Sequence, residues 1–228
     1  MLSPEEWQIV WLSLKVGAVA VAATLPVAFA LAWVLARSRL PGKLVLDAIV
    51  HLPLVLPPVV TGWLLLLAFG GNAPLGRWLH DWLGISLMFR WTGAALAAAI
   101  MALPLMVRAM RLSIEAVDTR LEDAARTLGA SPWHAFRTVT VPLALPGMLA
   151  AAVLGLARSI GEFGATITFV SNIPGETRTL PLAIYTALQV PGGEALASRL
   201  AIMSVALSVI ALAASEVLMR RSRVPGMG

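Results

Sequence analysis

Cysteine is absent from all 228 residues, which removes disulfides, thiolate metal sites and cysteine nucleophiles together. Charge is scarce as well: 13% of residues are Asp, Glu, Lys or Arg, against 59% hydrophobic. With a mean hydropathy of +0.85, the chain carries more apolar surface than a water-soluble core can bury, so the reading is a membrane protein. No long window has the mixed polarity of a soluble fold, so residues 1–228 are read as one domain of several spans. The opening MLSPEEWQ is acidic where a signal peptide needs a cationic start, and none is expected. No GxxxxGK[ST] loop is present to cradle a nucleotide phosphate. His51, His80 and His134 lie far apart without partners at ligand spacing, so no metal site and no catalytic residue is assigned.

What the chain does have is helical and apolar. Crossing about 30 Å of hydrocarbon takes roughly 20 apolar residues, and five windows qualify. They run from about Ile9 to Ala36, Ile49 to Phe69, Thr92 to Met110, onward from Pro142, and Leu200 to Met219. Lys15, near the start of the first, is expected to snorkel outward. The stretch between the last two windows is rich in Pro and Gly and reads as an external loop holding a short helix around Pro181 to Gln189. Eleven basic residues fall in one set of connections, from Arg37 to Arg223, against Arg77, Arg90, Arg178 and Arg199 in the other. The positive-inside rule then puts the N-terminus outside and the C-terminus inside. Topology and anionic lipid head groups account for the net charge of +5, so membrane lipid is an expected contact and nucleic acid is not. Trp63, Trp78, Trp82 and Trp91 read as an interfacial belt, and Glu216 with Arg220 as a local pair.

One segment is polar. From about 118 to 136 the chain offers Asp118 or Thr119 as a cap, acidic Glu122 and Asp123 in a first turn, and Gly129 as a C-terminal break. Ser131 and Pro132 then start a second short helix. Leu121, Ala124, Ala125 and Leu128 recur at three-and-four spacing and form a stripe free to dock. In this segment Asp123, Ala124, Ala125, then Gly129 after three residues, then Val139, Thr140, Val141 and Pro142 after nine more, resemble the cytoplasmic signature of importer-type permeases of the ATP-binding cassette family. Relative to that pattern Val stands for Ile and for Leu, and Asp123 stands at the acidic position with Glu122 just before it. Either carboxylate can therefore fill the family role.

The resemblance implies a type I importer membrane domain: all-α, about five transmembrane helices, and a coupling helix seated in a cleft of a separate ATPase subunit. It further implies a homodimer, two cytoplasmic ATPase subunits that bind ATP and Mg, and a periplasmic capture protein. No cofactor is expected in this chain. Two more stretches, HLPLVLPPVVTG from His51 and ARSIGEFGATITFVSNIPGETRTLPLAIYT from Ala157, are similar to the molybdate permeases of the bacterial inner membrane. Tungstate and sulfate permeases share the EFGA core and stay as alternatives. An ion-driven carrier would show an internal repeat, which is not found. An intramembrane enzyme would need a nucleophile–base pair or a metal cluster.

Within the fourth window Arg158 and Glu162 are four residues apart, and ionisable groups at that depth normally face a bundle interior or an aqueous path. Two readings stay open. The two side chains can neutralise each other and fix packing. Alternatively Gly161 and Gly164 open the backbone, so that Arg158, Ser159, Thr166 and freed N–H groups serve a passing oxyanion. Pro53, Pro57 and Pro58, with Gly62 beyond, break a membrane helix and are read either as a gate or as a static kink. The loop from Ser171 to Glu194 is a candidate landing surface for the capture protein, with Glu176, Arg178 and Glu194 as polar anchors.

Overall fold

The computed structural model describes the backbone of residues 3–222 and the side chains as far as Ala213. The Glu216–Arg220 pair, and Arg221 and Arg223, lie outside the described side chains. Among the described residues every regular element is helical. Helix α1 (Pro4–Arg37) begins with a capping box: Ser3 Oγ accepts from the Glu6 N–H, and Glu6 Oε2 accepts from the Ser3 N–H, with Pro4 in the first turn. It ends at extended Ser38. Gly42, at φ +86°, makes the left-handed turn into α2 (Lys43–Val55).

The second apolar window is two helices. Leu56, ahead of Pro57, is forced into extended geometry, and Pro58 opens α3 (Pro58–Phe69). The pair bends by 114° at this break. An amphipathic α4 (Pro74–Leu83) follows and leaves Trp78 and Trp82 exposed, as Trp63 is on α3. Helix α5 (Trp91–Glu115) leads to α6 (Thr119–Thr127) and α7 (Pro132–Ala135). Through a π-helical turn, Phe136–Thr140, α7 runs directly into α8 (Val141–Ile160). The expected short second helix is therefore the foot of one rod, Pro132–Ile160. Broken half-helices α9 (Gly164–Val170) and α10 (Leu180–Leu188) precede α11 (Glu194–Ser222). Among the described residues four helices are long and apolar enough to cross a membrane, and the bent α2–α3 pair makes a fifth candidate.

The core sits around α5, which packs against α1 on one side and α8 on the other. Its buried face is small or flexible: Ala94, Ala97, Ala98, Ala102, Met106 and Met110. Small residues let backbones approach where lipid supplies no hydrophobic drive for association. Gly155 on α8 shows the tightness, since a Cβ there would sit 2.5 Å from Met106 Sδ. At the α1 N-terminus, Glu6 is nearly buried and accepts from Arg199 Nε at 2.9 Å, tying the first helix to the last. Lys15 lays its ammonium 3.6 Å over the Trp91 ring, which stabilises the charge at its depth by a cation–π contact.

Candidate functional site

The polar segment folds as two short arms around a glycine turn. Asp118 accepts from the Arg120 N–H and caps α6, and Ser131 accepts from the His134 N–H and caps α7. Gly129 between them stands at φ +92°, a conformation that any side chain would strain. Of the apolar stripe, Leu121, Ala124 and Leu128 are exposed, Leu128 at 89%, and Ala125 is half-buried.

The two carboxylates face opposite ways. Glu122 turns inward: its Oε1 accepts from Arg37 Nη2 at 3.1 Å and from Thr140 Oγ1 at 2.7 Å. Arg37 also donates to the carbonyls of Ile114 and Val117. One cluster thus joins the end of α1, the end of α5, the middle of α6 and the π turn. Asp123 points to solvent, its carboxylate 71% exposed and only 4.0 Å from Arg126. Sequence reasoning had no means of pairing Glu122 with Arg37, because they are 85 residues apart. Pro142 lies in the first turn of α8, just beyond the π turn.

At the far end of that rod, α8 stops at Ile160, and Glu162 falls in the non-helical link Gly161–Phe163 rather than inside the helix. Arg158 Nη1 is 2.6 Å from Glu162 Oε2, and the other oxygen accepts from the Ala165 N–H at 2.8 Å. Glu162 is 2% exposed and holds both the guanidinium and the first turn of α9. Ser159 and Thr166 are buried, with Ser159 Oγ lacking a hydrogen-bond partner among the described residues. The glycines serve close packing: a Cβ on Gly62 would meet the Ala165 carbonyl at 2.6 Å, and one on Gly164 would meet Pro58 Cβ at 2.8 Å. The segment that follows the Pro57–Pro58 break is therefore seated directly on the broken α8–α9 link. Pro53 lies inside α2.

Glu176, on the loop after α9, and Glu194, the first residue of α11, are exposed, whereas Arg178 donates to Asn172 and sits 3.9 Å from Glu5. Among the described residues no group of three His, Cys, Asp or Glu could hold a metal ion.

The family described as "Binding-protein-dependent transport system inner membrane component" matches residues 7–224. The chain is 58% identical over 223 residues to the "Molybdenum transport system permease protein ModB" of Escherichia coli (strain K12), covering 98% of this chain and 97% of that protein. It is 38% identical over 171 residues to the "Sulfate transport system permease protein CysT" of the same strain, covering 74% of this chain and 61% of that one. Among solved structures it is similar to a chain of the MetNI methionine ABC transporter in inward-facing conformations. There the TM-score is 0.73 at 19% identity, covering 98% of this chain and all of that one.

Proposed function

This chain belongs to the binding-protein-dependent transport system inner membrane components, and from that premise we propose how it works as the membrane-spanning permease subunit of an ATP-driven molybdate importer. It is a multi-pass protein of the bacterial inner membrane and a transport permease rather than an enzyme. The substrate reading rests on 58% identity along nearly the whole chain to a molybdenum permease, against 38% over a shorter stretch to a sulfate permease.

The working unit is a homodimer with its path along the dimer axis, joined to two cytoplasmic ATPase subunits that hold ATP and Mg. A periplasmic capture protein delivers the oxyanion to the loop from Ser171 to Glu194. ATP binding closes the ATPase pair, the α6–α7 arms pass that closure to the spans, and hydrolysis resets the inward state. Two global states, each favoured by a different ligand, are what alternating access requires.

The observation that carries the coupling role is the division of labour on α6. Its outer face presents Leu121, Ala124, Asp123 and Leu128 to a partner. Its inner face is bolted through Glu122 to Arg37 and Thr140. A docking surface held rigidly to three other elements can transmit force. On this reading Asp123 is the carboxylate that meets the ATPase, and Glu122 is the internal anchor. Arg158 and Glu162, with Ser159, Thr166, Gly161 and Gly164, form the region where α3 seats on the broken link, and movement of α3 about Pro53, Pro57, Pro58 and Gly62 gates the path.

Competition uptake in vesicles reconstituted with the chain, its ATPase and its capture protein tests the function. Molybdate enters in an ATP-dependent manner and is displaced by unlabelled molybdate at lower concentration than by sulfate. Anion uptake without the ATPase subunit, or preferential displacement by sulfate, overturns the reading.

A further inference from the structure

A second cluster of charge lies away from the coupling anchor and the Arg158–Glu162 link. Asp47 and His51 are four residues apart on α2, and Arg108, Arg111 and Glu115 recur at three and four on α5, so each set shares one helix face. Between the two faces opens a cavity of about 320 Å³ lined by these five residues and Leu112. Ionisable groups on apolar helices are costly facing lipid and normally turn to a bundle interior or water. Here they converge on one space.

The cavity's internal pairing is uneven. Arg111 donates Nε to Glu115 at 2.8 Å and Nη1 to Asp47 at 3.2 Å, so a single guanidinium occupies both carboxylates. His51 keeps Nδ1 on α2, 2.9 Å from the Asp47 carbonyl and 3.3 Å from its carboxylate, and its Nε2 has no partner among the described residues. Arg108, one turn before Arg111, has no carboxylate within ion-pair distance among the described residues. Asp47, Glu115 and Arg111 together carry one net negative charge, which Arg108 balances across the cavity while its planar fork stays free of any direct ion pair among the described residues.

A tetrahedral oxyanion offers paired oxygens that a guanidinium binds bidentately. The carboxylates opposite weaken the hold, which suits a site that has to release its ion. The position fits an exit. Glu115 ends α5 three residues before the Asp118 cap of α6, and α2 leads through the 114° bend to α3, which seats on the broken link at Gly62.

We propose that the cavity between α2 and α5 is an exit-side site for a tetrahedral oxyanion dianion, with Arg108 as its principal ligand and Arg111 as the residue that holds the walls. The proposal rests on the permease reading above. Phosphate-bearing lipid head groups share this chemistry, so the lipid composition is part of the test.

The full complex is reconstituted in vesicles of neutral phosphatidylcholine, and in parallel vesicles containing an anionic phospholipid, and molybdate uptake and ATP hydrolysis are followed together. The Arg108→Gln complex is expected to take up molybdate about tenfold more slowly, the equivalent of one lost charge-assisted contact. Its ATP hydrolysis and subunit assembly stay near the parent's, so anions moved per ATP fall, in both lipids alike. Arg108→Lys, which keeps the charge and loses the fork, recovers only part of the rate. Unchanged uptake in Arg108→Gln overturns the proposal, as does parallel loss of uptake, hydrolysis and assembly, or a defect confined to anionic vesicles. Failure of the unsubstituted complex to move molybdate overturns the permease reading itself and the exit site with it.

Discussion

Glu122 and Asp123 are neighbours of like charge in opposite surroundings, and the roles proposed for them follow that geometry. Glu122 shares its oxygen with Arg37 and Thr140, and removing a charged acceptor from a half-buried pair strands the partner charge. A double-substitution cycle of Arg37→Gln and Glu122→Gln, read by equilibrium unfolding in mixed micelles, should give an interaction energy of about 1–2 kcal/mol. Asp123→Asn should move stability by less than about 0.5 kcal/mol, because its carboxylate is solvated. Asp123→Arg in turn should cut ATP-driven uptake without loss of folded protein. If Asp123 variants destabilise the chain and Glu122 variants do not, the assignment is reversed. The caps at Asp118 and Ser131 and the turn at Gly129 were legible in the sequence because each is settled within four residues. The inward rotation of Glu122 was not, because its partner comes from α1. Glu6 with Arg199, 193 residues apart, escaped for the same reason.

At the scale of elements, hydrophobic runs and proline positions placed the helices, and the corrections came where a run hides a break. Ile49–Phe69 reads as one apolar window, yet Leu56 before two prolines cannot stay helical, and the run turns by 114°. The Arg158–Glu162 spacing held as a contact at 2.6 Å, although Glu162 lies past the helix end. The π turn at Phe136–Thr140 had no sequence signal, because nothing in FRTVT separates one winding from the other. It carries a prediction. Inserting one residue after Thr138, an exposed position, adds about 100° of winding and rotates everything before it by that amount relative to α8. The docking stripe then faces the wrong way. Such a chain should insert and bind its capture protein normally while ATP hydrolysis no longer responds to the loaded capture protein, a response measured as stimulated over basal turnover.

For the whole molecule, the absence of cysteine turns from an exclusion into a tool. Single cysteines introduced at exposed apolar positions of α2 and α3, such as Val45, Leu52 or Val59, can test the proposed homodimer. Cross-linking between copies should be efficient at positions on the dimer axis and depend on nucleotide state, and no cross-link at any α2 or α3 position would contradict an axis lined by these helices. A cytoplasmic reporter fused after Arg223 should be active, a readout of the N-out, C-in orientation that the arginine and lysine distribution implies. The broad architecture was legible because composition and loop charge act over tens of residues. The closeness of α3 to α9 was not, since it depends on two glycines, Gly62 and Gly164, whose partners come from the other helix. One feature ties these scales together: α7, the π turn and α8 form an unbroken rod of 29 residues. A helix of that length is about 43 Å long, so a tilt of about 5° at its foot swings its tip by roughly 4 Å. The tip bears the Arg158–Glu162 link, so a small stroke delivered at one end reaches the other already magnified, and any softening along the shaft would waste it.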